Sequence, residues 1–224
     1  MEDKIQQFKQ LVNKCDNIVF FGGAGVSTES GIPDFRSKDG LYNQQYKYPP
    51  ETILSHTFFM NKTEEFFKFY KLKMNSLKYQ PNITHIKLAE LETKGKLKAV
   101  ITQNIDGLHQ KAGSKVVYEL HGSVLRNYCM NCNKFYDAEY VFNSNGIPRC
   151  SCGGIIKPDV VLYEEGLDEE TIENSIYAIQ KADLLIVTGT SLTVQPASGL
   201  INFFRGRNLV LINRDSTPYD NKAN

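Results

Sequence analysis

Four short apolar segments alternate with longer amphipathic segments along this chain. In each of the four, Val, Ile, Leu or Phe fill adjacent positions, as in parallel strands buried on both faces. Between them apolar residues recur with helical spacing, most clearly over 81–93 and 168–181, where Asp168 is placed to cap the second helix. This alternation predicts an α/β protein with an open, doubly wound, mostly parallel sheet. The predicted strands are 18–21, 99–102, 184–188 and 208–212.

Two segments interrupt the alternation. Residues 33–80 are rich in aromatic side chains and partly helical, whereas 127–157 contain four cysteines and several turn-forming residues. We expect both to be insertions that form a smaller helical and zinc-ribbon lobe. The remaining segments, 1–32, 81–126 and 158–224, are predicted to form a Rossmann-like domain. An active site is then expected in the cleft between the two lobes.

Composition and charge exclude several classes of protein. The 224 residues contain 26 Lys and Arg against 25 Asp and Glu, which leaves a net charge of +1. A basic face is not required by this balance, so nucleic acid is not an expected partner. The sequence has neither an apolar run of membrane-spanning length nor a signal-peptide pattern at its start. We therefore expect a cytoplasmic protein with no membrane partner.

The cysteines predict a metal site. Four of the five form close pairs, Cys129-x-x-Cys132 and Cys150-x-Cys152, while Cys15 stands alone as a small core residue. Two such pairs of thiolates can share one tetrahedral zinc ion. Four thiolates would fill its coordination shell and leave no position for water, so this zinc is expected to be structural. The alternative is a set of free thiols or a redox pair.

A glycine-rich loop follows the first predicted strand, with the sequence GAGVST over 23–28. Glycines at this position let the backbone approach a phosphate, with a helix N-terminus directed at the anion. The third glycine of the dinucleotide motif is absent, and no acidic residue ends a second strand where it would hold a ribose. Taken alone, the loop fits either a nucleotide site or an ordinary tight turn.

Polar residues follow the other predicted strands at the same sheet edge. Gln103, Asn104 and Asp106 come directly after the second strand, and three such side chains are costly to bury without a polar ligand. The alternative is a polar loop with an Asx turn. His121 precedes the cysteines, where a histidine at a cleft mouth can act as a general base. Small hydroxyl and amide residues suited to phosphate and ribose follow the last two strands: Thr190, Ser191 and Asn213.

Taken in order, these segments resemble the sirtuins, the NAD-dependent protein-lysine deacylases, in a bacterial-type form. The resemblance implies an enzyme that transfers the acetyl group of an acetylated lysine to ADP-ribose and releases nicotinamide. NAD would be a consumed co-substrate, and acetylated peptides or proteins would be the partners. The matching segments span nearly the whole chain: 23–27, 32–36, 102–106, 121–122, the cysteine quartet, 189–192 and 212–213.

The resemblance also implies a role for each matching residue. His121 would be the general base, and Asn104 would share in catalysis by holding the nicotinamide ribose with Gln103. Phe35 would shield the anomeric carbon of that ribose. Ile105 and Asp106 would line the nicotinamide pocket. The remaining NAD contacts would come from Gly23, Ala24, Gly25, Thr28 and Arg36 in the first loop and from Gly189, Thr190, Ser191 and Asn213 on the adenosine side. The acetylated peptide would pair with Val160, Val161, Leu162 and Tyr163.

Two departures from the family pattern concern the substrate. The family often has Phe-Gly-Glu where this chain has Tyr163-Glu164-Glu165, which leaves the peptide preference open. Members that remove succinyl groups carry Tyr-x-x-Arg, and the nearest match here is Tyr70-Lys71-Leu72-Lys73. Lysine lacks the bidentate fork that suits a carboxylate. We therefore expect acetyl-lysine, or a longer neutral acyl group, in preference to succinyl-lysine.

Other possibilities remain at this stage. The same NAD site would serve a mono-ADP-ribosyltransferase, and a non-catalytic zinc-ribbon reader of acyl-lysine would need no turnover. The chain ends at Asn224, soon after the fourth predicted strand, whereas sirtuins usually continue through a further strand and helix. We expect either an adenine pocket that lacks a wall or further residues that complete it.

Overall fold

The computed structural model describes residues 2–35, 40–41 and 44–223. Within these ranges, eight helices and eight strands are labelled in chain order, and four 3₁₀ segments lie among them. The helices are α1 (Glu2–Lys14), α2 (Pro50–Ile53), α3 (His56–Asn61), α4 (Thr63–Lys73), α5 (Ile83–Thr93), α6 (Leu108–Lys111), α7 (Ala138–Asn143) and α8 (Glu169–Lys181). The strands are β1 (Ile18–Gly22), β2 (Leu97–Thr102), β3 (Val117–Glu119), β4 (Gly122–Cys129), β5 (Phe135–Asp137), β6 (Ile156–Val160), β7 (Leu184–Thr188) and β8 (Asn208–Ile212).

Five parallel strands form the main sheet in the order β3-β2-β1-β7-β8. The order reverses at β1, as in doubly wound nucleotide-binding folds, and the predicted α/β class is confirmed. The bounds of β7 and β8 agree with the prediction. The sequence did not reveal β3, because its three residues are only half-buried and carry no continuous apolar run.

Successive residues of β1 enter different cores on the two faces of this sheet. Ile18 and Phe20 contribute to a core that α1 and α5 cover, with Leu88 of α5 buried in it. Val19 and Phe21 contribute to the opposite core, which contains Ile179 of α8. The continuous apolar run in β1 therefore follows from helices on both faces.

A second, antiparallel sheet has the strand order β5-β4-β6. It shares a third core with α4, whose buried rings include Phe66 and Tyr70, and with Val141 of α7. Tyr70 stacks on Phe66 and on Phe142, with ring centroids 5.5 Å apart in both pairs. Both interrupting segments thus contribute to one core, while the predicted division into two lobes stays a prediction.

Local capping fixes the two helices that the sequence predicted best. Helix α8 begins after Asp168, whose carboxylate accepts the N–H of Thr171 at 2.8 Å, as predicted. Helix α5 begins at Ile83 instead of residue 81, because Asn82 accepts the N–H of Thr84 and acts as its N-cap. Among the described residues, none of the helices has both the length and the apolar character needed to cross a membrane.

Candidate active site

Apart from Arg36, the predicted NAD contacts lie in segments that follow the carboxyl ends of β1, β2, β7 and β8, where open α/β sheets bind their ligands. The loop after β1 reaches the loop after β7 through two backbone bonds. Gly23 N–H donates to Thr188 O at 3.1 Å, and Gly25 N–H donates to Gly189 O at 2.8 Å. These contacts bring together two loops that are far apart in the sequence.

Gly25 and Gly189 are required by the close approach of these two loops. A Cβ on Gly25 would lie 2.7 Å from Gly189 Cα, and one on Gly189 would lie 2.7 Å from the carbonyl carbon of Gly25. The expected helix N-terminus behind the loop is wrong. The chain instead forms two 3₁₀ turns, Ala24–Val26 and Thr28–Ser30. The loop is too tightly held against Gly189 and α5 to continue as a regular helix.

Other predicted residues of the first loop have different surroundings. Thr28 Oγ1 donates to Gly25 O at 3.0 Å and closes the turn between them. Phe35 is partly buried against the third core, as is Ile105 from the loop after β2. These two side chains therefore lie where the main sheet edge meets the third core. Arg36 lies outside the described residues.

Ser27 connects the first loop to the loop after β2, and the sequence reasoning missed it. Its hydroxyl donates to Asp106 Oδ2 at 2.7 Å and accepts from Asn104 Nδ2 at 3.0 Å. Ser27 is only 1% exposed, so the bonds have little competition from water. A small hydroxyl within the glycine-rich motif was the available signal. This bridge holds the predicted ribose and nicotinamide residues in one network.

Asp106 also forms the Asx turn that was the alternative interpretation of this loop. Its Oδ1 accepts the N–H of Leu108 at 2.9 Å, while its carbonyl accepts Ser76 Oγ at 3.0 Å. The carboxylate thus has one oxygen on the turn and the other on Ser27. The Asx turn fixes the orientation of the Asp106 side chain, and this is compatible with a role in ligand binding.

Asn82 anchors the first loop from below and was likewise missed. Its amide nitrogen donates to Val26 O at 2.7 Å and to Ser30 Oγ at 3.1 Å, while its oxygen caps α5. His85 completes the capping box, since its Nδ1 accepts Asn82 N–H at 3.2 Å. The loop position is therefore tied to the start of a rigid helix.

A second chain of polar contacts joins Gln103, Thr190 and Asn213. Gln103 Nε2 donates to Thr190 Oγ1 at 3.1 Å, and Thr190 N–H donates to Asn213 Oδ1 at 3.1 Å. Within the described chain, Asn213 Nδ2 and Thr188 Oγ1 are buried without a hydrogen-bond partner. Buried polar groups normally have partners, so this arrangement fits a polar ligand such as a ribose or phosphate. Ser191 Oγ pairs with Thr193 Oγ1 at 2.8 Å.

His121 lies beside this edge and has a defined tautomer. Its Nδ1 is 2.9 Å from Gln103 O. Because a carbonyl only accepts, the proton must be on Nδ1, and Nε2 keeps its lone pair. Burial lowers the pKa of His121 below 6.5, although the bond to Gln103 opposes that shift. The imidazole is therefore neutral at pH 7 and able to accept a proton.

The predicted peptide-binding segment lies next to His121. Val161 N–H donates to His121 O at 3.0 Å, Leu162 N–H to Glu165 Oε2 at 2.9 Å and Tyr163 N–H to Leu54 O at 3.0 Å. Val160 ends β6. Because these three donors already have acceptors, a peptide pairing here must use carbonyl oxygens or replace some of these bonds.

The four clustered cysteines come together at the turns of the antiparallel sheet. The sulfur atoms of Cys129, Cys132, Cys150 and Cys152 all lie within 4.8 Å of one another, and three pairs are 3.5 Å apart. Tetrahedral zinc with Zn–S bonds of about 2.3 Å places its sulfur ligands about 3.8 Å apart. Backbone N–H groups donate to two of the sulfurs, and such bonds favour the thiolate form. The cluster therefore fits a structural zinc ion.

The comparisons with known proteins agree with this geometry. The Sir2 family model matches residues 23–196. Two proteins called NAD-dependent protein deacetylase, from Clostridium acetobutylicum and Clostridium perfringens, are 62% and 61% identical, over 99% and 100% of this chain and 92% and 93% of theirs.

Solved structures of Sir2 proteins share the whole fold. A Sir2 variant with deacetylated p53 peptide and 3′-O-acetyl ADP-ribose superposes with a TM-score of 0.90 at 40% identity, covering 98% of this chain and 90% of its own. A Sir2 complex with p53 peptide and NAD+ gives a TM-score of 0.86 at 41% identity, with the same coverage. The chain belongs to the Sir2 family.

Proposed function

We propose that this protein is an NAD-dependent protein-lysine deacetylase, which moves the acetyl group of an acetylated lysine onto ADP-ribose and releases nicotinamide. Relatives more than 60% identical over the whole chain carry that name. The observation that carries the proposal is the position of His121. Its imidazole bonds to the loop of Gln103 and its backbone bonds to Val161, so one residue joins the cofactor edge to the peptide segment.

NAD is the co-substrate, and the sheet edge provides groups suited to each of its parts. Asn213 and Thr190 would contact the adenosine half, together with Gly189 and Ser191. Gln103 and Asn104 would hold the nicotinamide ribose, while Ile105 and Asp106 line the nicotinamide pocket. The buried, unpartnered Asn213 Nδ2 supports this assignment, because a ligand oxygen would satisfy it. Gly23, Ala24, Gly25, Thr28, Phe35 and Arg36 would complete the cofactor site.

NAD supplies a ribose carbon that becomes electrophilic as its bond to nicotinamide breaks. The acyl oxygen of the modified lysine then bonds to that carbon. His121 would accept a proton from a ribose hydroxyl through Nε2, since Nδ1–H is held by Gln103. The hydroxyl oxygen would then bond to the acyl carbon, and addition of one water molecule with departure of the lysine amine would leave the acetyl group on ADP-ribose. The Ser27–Asn104–Asp106 network keeps the surrounding amide and carboxylate fixed, so little reorganisation accompanies the change in charge.

We propose an acetyl or longer neutral acyl group over succinyl, and the contacts of the 70–73 segment support this. Tyr70 is fully buried between Phe66 and Phe142. Lys73 Nζ donates to Gln44 Oε1 at 2.9 Å. The segment offers no bidentate fork for a carboxylate. Acetylated peptides are thus the proposed partners.

The test is a mass measurement on an acetylated peptide with and without NAD. Deacetylated peptide, nicotinamide and acetyl-ADP-ribose in equal amounts are expected, and His121→Ala is expected to abolish their steady-state formation. ADP-ribose attached to a protein acceptor without deacetylation would replace the proposal with mono-ADP-ribosyl transfer. Peptide binding without any NAD turnover would leave only a reader of acyl-lysine.

A further inference from the structure

Strand β4 departs from its pairing with β6 after Ser123, two residues beyond His121. Gly122 and Ser123 pair with β6, and pairing resumes only at Asn127, so the residues between them bulge out of the ladder. The bulge reaches the loop after β2. Val124 N–H donates to Ile105 O at 3.0 Å, and Leu125 lies directly over Gly107. The bulged segment therefore supports the loop that carries the predicted ribose and nicotinamide contacts.

His121 and the bulge make a continuous set of contacts with that loop. His121 Nδ1–H bonds to Gln103 O, and Val124 N–H bonds to Ile105 O, so the two bonds flank Asn104. On the other side, His121 O accepts Val161 N–H at 3.0 Å. A shift of the bulge would consequently move His121 relative to both substrates.

Arg126, the last residue of the bulge, is held by two carboxylates. Its Nε donates to Asp159 Oδ2 at 2.7 Å, and its Nη1 donates to Glu119 Oε2 at 2.6 Å. Glu119 belongs to β3 of the parallel sheet, whereas Asp159 belongs to β6 of the antiparallel sheet. One guanidinium therefore joins the two sheets across the segment that contains His121. A planar fork suits this task, because each edge can bind a different carboxylate.

Gly122 brings the same segment close to Asp159. Its φ is +73°, a conformation that favours glycine, and a Cβ there would overlap Asp159 O. The backbone of β6 is thus in direct contact with the residue after His121, while the Asp159 side chain holds Arg126. The ion pairs and the glycine contact fix the segment at both of its ends.

We propose that Arg126 is a positioning residue for deacetylation, whose two ion pairs hold the bulge so that His121 keeps Nδ1–H on Gln103 and presents Nε2 to the ribose. This inference rests on the proposed function, because it assigns Arg126 a part in that reaction. The carboxylates that Arg126 binds belong to Glu119 and Asp159. Arg126 acts through the backbone of 121–125.

The experiment compares Arg126→Gln, Arg126→Lys and wild type in steady-state deacetylation and in ¹⁵N spectra of the histidine side chains. Misplacement of a general base lowers the rate more than binding, so Arg126→Gln should lose about tenfold in kcat with KM for NAD changed less than about twofold. The ¹⁵N signals of His121, assigned by their loss in His121→Ala, should move toward the Nε2–H tautomer. In Arg126→Lys, both kcat and the His121 signals should lie between those of Arg126→Gln and wild type, since lysine keeps the charge but lacks the planar fork of arginine.

Lys68→Met is the matched control, because it removes an exposed ion pair with Glu64 on α4, far from this segment in sequence. It should leave kcat and the His121 signals unchanged. If Arg126→Gln does not fold, Asp159→Asn, which keeps the pair with Glu119, should show the same changes to a smaller degree. Wild-type kcat and His121 signals in the folded variant, or equal losses in Lys68→Met, would overturn the proposal. Absence of deacetylation in wild type would refute the proposed function, while the tautomer measurement would still test Arg126.

Discussion

Replacing Ser27 by alanine tests the network between the first loop and the loop after β2. The Ser27 hydroxyl is the shared partner of Asp106 Oδ2 and Asn104 Nδ2, and the residue is 1% exposed. Ser27→Ala removes both bonds at once. A buried polar atom left without a partner costs about 1–3 kcal/mol. In Ser27→Ala, Asp106 Oδ2 and Asn104 Nδ2 would both lose this partner. Asn104 is 9% exposed, so a water molecule can replace part of the loss.

We expect the free energy of unfolding to fall by about 2 kcal/mol in Ser27→Ala. Activity should fall with it, because Asn104 and Asp106 lose their fixed orientation. A loss of about 1.4 kcal/mol in transition-state stabilisation corresponds to about a tenfold decrease in kcat/KM. Urea unfolding and nicotinamide release from an acetylated peptide measure the two effects.

Ser175→Ala is the matched control for this experiment. Ser175 is fully buried in α8, but its hydroxyl makes a single bond, to Thr171 O at 2.7 Å. That carbonyl belongs to a regular helix, so the loss should stay below about 1 kcal/mol with kcat/KM unchanged. If Ser27→Ala and Ser175→Ala lose equal stability and neither loses activity, the network does not order the site. A double-mutant cycle with Asp106→Asn should give a coupling energy of about 1 kcal/mol or more.

Three further predictions concern pH, metal and backbone strain. Because burial lowers the pKa of His121 below 6.5, the acid side of the kcat/KM profile should have its midpoint below pH 6.5; a midpoint above 6.5 contradicts this. One zinc per chain is expected by elemental analysis, and chelation should make four more thiols reactive and lower Tm; an unchanged thiol count refutes the site. Glu164 has a φ of +77°, and its side chain accepts Thr57 N–H at 2.8 Å. Both Glu164→Ala and Glu164→Gly lose that bond, but only glycine adopts this φ without strain, so Glu164→Ala should unfold at a lower urea concentration. The reverse order would disprove the strain.

Much of the fold was predictable from sequence because its strongest signals are local. The apolar runs of β7 and β8 and the Asp168 cap of α8 depend on neighbouring residues alone. Strand β3 was missed because its three residues gain their place from pairing with β2, which no local pattern records. The helix expected after the glycine loop was wrong for a related reason. Contacts with Gly189 and Asn82, distant in sequence, shape that loop into 3₁₀ turns.

The same distinction separates residues that contact a ligand from residues that hold those residues in place. The sequence proposes the Gln103–Asp106 loop as a ligand contact, because three polar side chains at a strand end are costly to bury without a polar partner. Arg126 gave no such signal, since a charged residue on a strand with half-exposed side chains is ordinary in sequence. Its importance arises only when Glu119 and Asp159 approach it from two different sheets. Residue type and spacing therefore suggest candidate ligand contacts, whereas the residues that support those contacts emerge only from the tertiary structure.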